Sequence, residues 1–252
     1  RGGKRFRACA SNEGTVRKAA GRTQVLLARV ENGSWMRELF TFATRNRFRM
    51  QSPYAPLPGS GLPVRALFVD RWGTLLERPE QGWTPDFHPN LVSGSAVDGL
   101  FHACQQGWSL YLIGNEDQVV HGQMSDENWS AFEAQLVEHL RSHGVPVTRC
   151  YAGLDHPDGK KPHNKDSVFY LPNTGAMYHA AQEDGVILKH SWVIGDSTPE
   201  LVAGWRAGCK LAGVRTGLGL ADHELQVEPE FTADDLGAVL REVVSGAYMT
   251  HH

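Results

Sequence analysis

Two acidic positions in this 252-residue chain follow predicted buried strands and could support covalent or metal chemistry. Asp70 ends the predicted strand 66–70, and Asp196 follows the predicted strand 191–195, with Glu200 four residues further on. A carboxylate at the end of a strand can act as a nucleophile, and two or three carboxylates together can hold Mg²⁺. Asp70 and Asp196 are therefore candidate ligands of Mg²⁺.

The segments that must position these carboxylates alternate between strand and helix patterns. Predicted strands are 66–70, 109–114, 147–152, 191–195 and 210–214, and predicted helices are 96–106, 126–143, 175–184, 199–207 and 233–244. Ser125 and Thr232 are the expected N-caps of the second and the last helix. Such alternation predicts an α/β fold with a doubly wound parallel sheet and helices on both faces.

The first part of the chain has a different pattern. Segments 24–31 and 39–44 resemble two strands around a turn at Asn32 and Gly33, and residues 51–63 are rich in Pro, Gly and Ser. We expect two domains: residues 1–63, a small basic β-rich domain with its linker, and residues 64–252, the α/β domain.

Charge is divided unevenly between these parts. Residues 1–50 carry twelve Lys or Arg against three Glu, a net charge of +9, whereas the remainder carries −12. Arg-rich segments bind polyanions, although the basic part could instead pair with the acidic domain. The expected RNA-binding residues are Arg17, Lys18, Arg22, Arg45, Arg47 and Arg49.

Composition also argues against a membrane-spanning protein and against a disulfide-rich or zinc-binding one. No apolar run approaches the length of a membrane span, so no membrane partner is expected. The four cysteines are scattered without a Cys-x-x-Cys pair, which favours reduced thiols over a disulfide framework or a zinc knuckle.

Several motifs of residues 64–244 occur in the order typical of one enzyme superfamily. The segment Asp70 to Thr74 is similar to the first motif, Asp-x-Asp-Gly-Thr. Residues 107–115 resemble the segment that leads to the second motif. Residues 171–177 resemble the third motif, and residues 193–200 resemble the fourth. The domain therefore resembles the haloacid dehalogenase (HAD) superfamily, and within it the histidinol-phosphate and heptose-bisphosphate phosphatase branch. The resemblance implies a HAD-like Rossmannoid fold.

The same resemblance implies that three chemical groups are missing. Trp72 stands where the family has its acid/base Asp, Gly114 where it has a Ser or Thr, and Leu171 where it has a Lys. We therefore interpret Asp70, Trp72, Gly114 and Leu171 as a vestigial site and the domain as a pseudoenzyme. We expect either no cofactor or a vestigial Mg²⁺ bound to Asp70 and Asp196. The zinc-binding loop of that branch also lacks its cysteines here.

An alternative treats the domain as a divergent HAD hydrolase, a phosphatase or a dehalogenase, with Asp70 as the nucleophile. Haloacid dehalogenases carry an aromatic residue at the position of Trp72 and use their Asp without Mg²⁺. Gly114 and Leu171 argue against a dehalogenase, which also requires a Lys and a Ser/Asn pocket.

Residues 17–56 weakly resemble bacterial-type large-subunit ribosomal protein thirty-three, with a basic start, a Val-containing strand and a Thr-Arg-Asn-Arg segment at 44–47. This resemblance leads to the main functional prediction: a structural RNA-binding ribosomal protein of an organellar large subunit. Its expected partners are ribosomal RNA and neighbouring ribosomal proteins, with no small-molecule substrate. The expected location is the mitochondrial matrix, with the cytoplasm as the alternative.

Overall fold

The computed structural model describes residues 64–79, 83 and 86–246. These residues all belong to the second predicted domain. The expected basic domain 1–63, its hairpin and its linker lie outside the described residues, and the boundary at residue 63 stays a prediction.

Six parallel strands form one sheet in the order β3-β2-β1-β4-β5-β6. The strands are β1 (Arg65–Asp70), β2 (Trp108–Ile113), β3 (Val147–Cys150), β4 (Trp192–Gly195), β5 (Lys210–Val214) and β6 (Phe231–Ala233). β1 and β4 are neighbours, with Val69 level with Ile194. Their carboxyl ends therefore meet at one edge of the sheet, where ligands of open α/β sheets bind.

Helices connect these strands. They are α1 (Gly94–Gln105), α2 (Asp117–Val120), α3 (Asp126–Ser142), α4 (Gly175–Asp184), α5 (Thr198–Ala207) and α6 (Leu236–Ser245). Short 3₁₀ turns occur at Pro89–Leu91 and Leu188–His190. No helix in residues 64–79 and 86–246 is both long and apolar enough to cross a membrane.

Helices cover both faces of the sheet, and neighbouring residues of each strand point to opposite faces. Leu67 and Val69 of β1 belong to one apolar cluster, which α1, α3 and α6 complete. Ala66 and Phe68 belong to a second cluster, which α4 and α5 complete. The predicted doubly wound α/β class is confirmed for this domain.

The five predicted strands and five predicted helices are present, with ends that differ by a few residues, and two elements were missed. β6 pairs with β5 and occupies the start of the predicted helix 233–244. Thr232 therefore lies in a strand, and the cap of α6 is Asp235, which accepts a hydrogen bond from the Ala238 amide at 2.7 Å. The predicted Ser125 cap is present, at 3.2 Å from the Asn128 amide. The four-residue helix α2 carries too short a pattern to be predicted.

Candidate active site

Three carboxylates meet at the shared edge of β1 and β4. Asp70 ends β1, Asp196 follows β4, and Glu200 lies in the first turn of α5. Carboxylate oxygens from all three lie within 4.8 Å of one another, and all three residues are buried. The two predicted residues Asp70 and Asp196 are thus brought together, and Glu200 joins them. We refer to these three residues as the carboxylate cluster.

Asp196 is held between two loops. Its Oδ2 accepts a hydrogen bond from the Leu218 amide at 2.7 Å, and Thr74 Oγ1 lies 3.5 Å from its Oδ1. Gly73 and Gly217 have φ of +95° and +60°, and a Cβ at either position would lie 2.1 Å from Asp196 Oδ2. Only glycine permits the backbone to approach the carboxylate this closely, so the glycine of the Asp70–Thr74 motif has a direct role in shaping the site.

Glu200 is fixed by the beginning of its own helix. The Ser197 amide donates to Glu200 Oε1 at 2.5 Å, and Ser197 Oγ donates to Oε2 at 2.7 Å. This reciprocal capping box orients the Glu200 carboxylate. Burial, followed by the charge of Asp196, raises the pKa of Glu200 to about 8.

Burial and mutual repulsion disfavour the charged forms of the carboxylates in this cluster. Burial holds the pKa of Asp70 well above its ordinary range, and Glu200, Asp196 and Glu116 raise it further. Burial also raises the pKa of Asp196, although the Leu218 amide and Arg78 oppose that shift. Carboxylates this close repel each other unless a cation lies between them. Oxygen ligands of this kind fit Mg²⁺, so the residues present are suited to that ion.

Arg71 and Trp72 donate hydrogen bonds within a second network beside the carboxylate cluster. Arg71 is fully buried and donates to Glu116 Oε1 at 3.2 Å and to Glu133 Oε1 at 2.6 Å. Trp72 Nε1 donates to Glu116 Oε2 at 3.0 Å, and Gln118 Nε2 donates to the same oxygen at 2.7 Å. We refer to Arg71, Trp72, Glu116, Gln118 and Glu133 as the arginine network.

Charge in the arginine network is compensated. Burial opposes the charge of Arg71, but Glu133 and Glu116 outweigh it and raise the pKa of Arg71 further above its ordinary value. Burial raises the pKa of Glu116 to about 7, although Arg71 and the donors Gln118 and Trp72 lower it. Sequence reasoning missed this network. The only available signal was an Arg directly after Asp70, in a segment otherwise predicted to be buried.

Gly114 and Leu171 add no polar side chain to the site. Gly114 has φ of +149°, and a Cβ there would lie 2.9 Å from Asp70 Oδ1 and 3.6 Å from Arg71 Nη1. A serine side chain would therefore collide with the Asp70 carboxylate. Leu171 is buried in the second apolar cluster, and its amide and carbonyl bond to the Asn115 side chain at 2.7 and 2.9 Å.

The loop predicted to have lost a zinc site holds its polar residues in other contacts. His156 Nδ1 accepts from the Asp158 amide at 3.2 Å, and its ring lies 4.7 Å from that of Tyr170. His163 lies between Asp155 and Asp126, at 3.1 and 3.2 Å. Within residues 64–79 and 86–246, the carboxylate cluster is the one group with metal-ligand spacing.

The six predicted RNA-binding residues lie outside the described residues. The structure therefore places none of Arg17, Lys18, Arg22, Arg45, Arg47 and Arg49.

Comparison with known proteins connects this geometry to a fold family. Residues 171–239 match the family model described as HAD-hydrolase-like. A D,D-heptose 1,7-bisphosphate phosphatase from B. bronchiseptica, solved in complex with magnesium and phosphate, superimposes with a TM-score of 0.62 at 21% identity, covering 73% of this chain and 99% of that one. A structure described as a HAD-like phosphatase, from Mesorhizobium loti, gives 0.60 at 22% identity, covering 74% and 87%.

The domain has a HAD-like fold. At the sequence level, the HAD-like domain is similar to curated D-glycero-beta-D-manno-heptose-1,7-bisphosphate 7-phosphatases. The protein from Haemophilus influenzae is 25% identical over 169 residues, which cover 64% of this chain and 91% of that protein. The protein from Pseudomonas putida is 27% identical over 189 residues, which cover 72% and 100%.

These similarities correct the main functional prediction. We predicted a structural ribosomal protein with an inactive domain, bound to RNA and without a small-molecule substrate. That prediction is wrong, because proteins similar over most of the HAD-like domain are curated phosphatases of a sugar bisphosphate. The resemblance of residues 17–56 to a ribosomal protein has no support in the comparisons. The loss of side-chain chemistry at Trp72, Gly114 and Leu171 was given too much weight, because Asp70, Asp196 and Glu200 still form a site suited to a cation.

Proposed function

We propose that the HAD-like domain is a Mg²⁺-dependent hydrolase of a small phosphorylated molecule, with Asp70 as the nucleophile. The observation that carries this proposal is the carboxylate cluster. Three buried carboxylates within 4.8 Å of one another destabilise the fold unless a cation or protons compensate them. Their retention at the edge of the sheet where α/β folds bind ligands supports a functional use.

Each residue of the cluster has a distinct part in this reaction. Asp70 attacks phosphorus and forms an aspartyl phosphate, which water then hydrolyses. Asp196 and Glu200 would hold Mg²⁺ together with Asp70, and the loops around Gly73 and Leu218 fix the Asp196 carboxylate. When bound, the cation neutralises charge on the transferring phosphoryl group.

The cluster also explains how Asp70 can be ionised. Burial and neighbouring carboxylates hold its pKa high, and a protonated carboxyl group is a poor nucleophile. A cation among the three carboxylates favours their charged forms. A cation bound by Asp70, Asp196 and Glu200 would therefore make Asp70 a better nucleophile, because it would favour the charged carboxylate.

A phosphatase fits this site better than a dehalogenase does. Trp72 matches the aromatic residue of dehalogenases, but those enzymes do not use Mg²⁺. If the domain were a dehalogenase, no cation would bind to compensate the charges of Asp70, Asp196 and Glu200. Sugar bisphosphates are the first compounds to test, because the similar proteins are named for such a substrate.

The test measures phosphate release by the purified full-length chain with sugar bisphosphates, a generic aryl phosphate and acetyl phosphate. We expect release from at least one of these compounds that requires Mg²⁺ and that falls by a factor on the order of 10³ or more in Asp70→Asn. Asp234→Asn is a matched control, because Asp234 is exposed and pairs with Arg215 at the surface. Equal rates for Asp70→Asn and the unaltered protein, or no release from any of these compounds, would disprove the proposal.

A further inference from the structure

We propose that this site acts on phosphoryl groups whose leaving oxygen departs as a stable anion, as in acyl phosphates and phosphoric anhydrides, and acts poorly on alkyl phosphate esters. This inference rests on the proposed function and names its substrate class. It follows from the surroundings of Asp70, which contain a nucleophile and a cation site but no accessible proton donor for the leaving group among the described residues.

Trp72 occupies the position from which the family's second Asp protonates the leaving group. An indole does not transfer its proton at neutral pH, and here the Nε1–H is already donated to Glu116 at 3.0 Å. The ring packs 5.0 Å from Trp83 and 5.3 Å from Phe132, centroid to centroid, and only 6% of the residue is exposed. Packing therefore holds the indole in this orientation, and water cannot enter the space that the ring fills.

Among the described residues, the ionisable groups whose charge acts most strongly on Asp70 are Asp196, Glu200, Glu116 and Arg71. Asp196 and Glu200 belong to the cation site. Arg71 is fully buried, donates to two carboxylates and to the Tyr151 carbonyl, and does not release its proton.

Glu116 is the remaining carboxylate, and it is poorly placed to protonate a substrate. It has no exposed surface. Its Oε1 accepts from Arg71, and its Oε2 accepts from both Trp72 and Gln118. A leaving group would have to displace these buried donors to reach it.

Thr74 offers the nearest hydroxyl in the motif, but its Oγ1 is directed to Asp196 Oδ1 at 3.5 Å. Both ends of the Asn115 amide are bonded to the backbone of Leu171. Among the described residues, the side chains of Thr74, Asn115 and Glu116 thus already have other hydrogen-bond partners.

The chemistry of the two steps shows why the leaving group matters. In the first step Asp70 Oδ forms a bond to phosphorus, and the bond from phosphorus to the leaving oxygen breaks with its electron pair on that oxygen. An alkoxide formed in this way requires a proton, whereas a carboxylate or a phosphate does not. A positioned general acid contributes about 10²–10⁴ in rate, so its absence penalises alkyl esters selectively.

The second step balances without an added base. Water attacks the phosphorus of the aspartyl phosphate, the bond to Asp70 breaks, and the Asp70 carboxylate is restored. Both water protons remain with the product, which leaves as dihydrogen phosphate. Asp70 is itself a carboxylate leaving group, so this step resembles the first step with an acyl phosphate.

The experiment compares leaving groups with the full-length protein in MgCl₂, subtracting the rate of Asp70→Asn as background. Acetyl phosphate represents the acyl phosphates, and inorganic pyrophosphate represents the anhydrides. A series of aryl phosphates varies the acidity of the leaving phenol. Glycerol phosphate and fructose 1,6-bisphosphate represent the alkyl esters. We expect kcat/KM for the alkyl esters to be at least about 100-fold below that for the preferred of the first two. Within the aryl series, kcat/KM should rise steeply as the phenol becomes more acidic.

Restoring the acid provides the second arm. Trp72→Asp should raise kcat/KM for alkyl esters by about 10²–10⁴ and flatten the aryl series, with little effect on acetyl phosphate. Trp72→Asn is the matched control, since it removes the same indole without adding an acid. If neither variant folds, the leaving-group dependence of the unaltered protein decides alone.

The outcomes separate this inference from the proposed function. Turnover of alkyl esters within tenfold of acetyl phosphate would overturn the inference and leave the Mg²⁺-dependent hydrolase standing. If Glu116→Gln then removed that alkyl activity, Glu116 would be the acid. No Asp70-dependent release from any compound would overturn both proposals.

Discussion

Three carboxylates lie on one side of the end of β1 and two on the other, and their charges are compensated differently. On the side of β4, Asp70, Asp196 and Glu200 have no cationic side chain among the hydrogen-bond partners that the described residues provide. On the side of β2, Glu116 and Glu133 share the fully buried Arg71. A buried charge without a partner is costly, and a paired one is tolerated. The carboxylate cluster therefore points to a ligand, whereas the arginine network supports the fold.

The largest expected effect comes from removing the positive charge of the arginine network. Arg71→Met leaves Glu116 buried without its cation and should lower the free energy of unfolding by about 3–5 kcal/mol. Urea unfolding measures this change. Arg141→Met is the control, because its pair with Glu138 is exposed; a surface pair is worth roughly 0–1 kcal/mol. Equal effects of the two changes would show that the arginine network is not structural.

An intermediate effect is expected when Mg²⁺ loads the carboxylate cluster. Burial raises the pKa of Glu200 from 4.5 to about 8, and the pKa of Asp70 is raised as well. The folded state thus keeps protons that the unfolded chain has released. Without the cation, the contribution of these two carboxyl groups to stability is greatest below pH 4.5 and is lost as the pH rises toward 8.

Mg²⁺ should offset that loss, because it binds the deprotonated carboxylates. At 100 times its Kd it should stabilise the fold by about 2.7 kcal/mol, and the rise in Tm should be larger at pH 8.5 than at pH 5. Differential scanning fluorimetry with and without MgCl₂ checks this, with Asp196→Asn as the variant that should lose the response. A Tm shift independent of pH would contradict a site made of these carboxylates.

The smallest effect is expected for Asp70→Asn in a Mg²⁺-free buffer. Removing one of three repelling charges should leave the free energy of unfolding unchanged or higher, within roughly 1 kcal/mol, whereas most substitutions destabilise. Glu116→Gln, an equally isosteric change on the other side of β1, should destabilise because it breaks the pair with Arg71. Chemical denaturation of both variants tests the contrast, and a loss of stability in Asp70→Asn alone would reverse it.

Much of the fold could be predicted from the sequence because its signals are local. Buried parallel strands such as β1 and β2 are short apolar runs, and α3 has an amphipathic pattern with a Ser125 cap, so each could be recognised without its neighbours. β6 could not be recognised, because three residues carry no periodicity and its strand character depends on pairing with β5. The misplaced Thr232 cap followed from that omission.

The sequence by itself determined the chain's doubly wound class, the positions of Asp70 and Asp196 at strand ends, and the absence of an acid at Trp72. Tertiary structure alone decided which charges are compensated. It brought Glu200 to Asp70 through the β1–β4 pairing and turned Arg71 toward Glu116 and Glu133. The reason is physical: the energy of a charge depends on burial and on partners distant in sequence, and neither can be inferred from spacing along the chain.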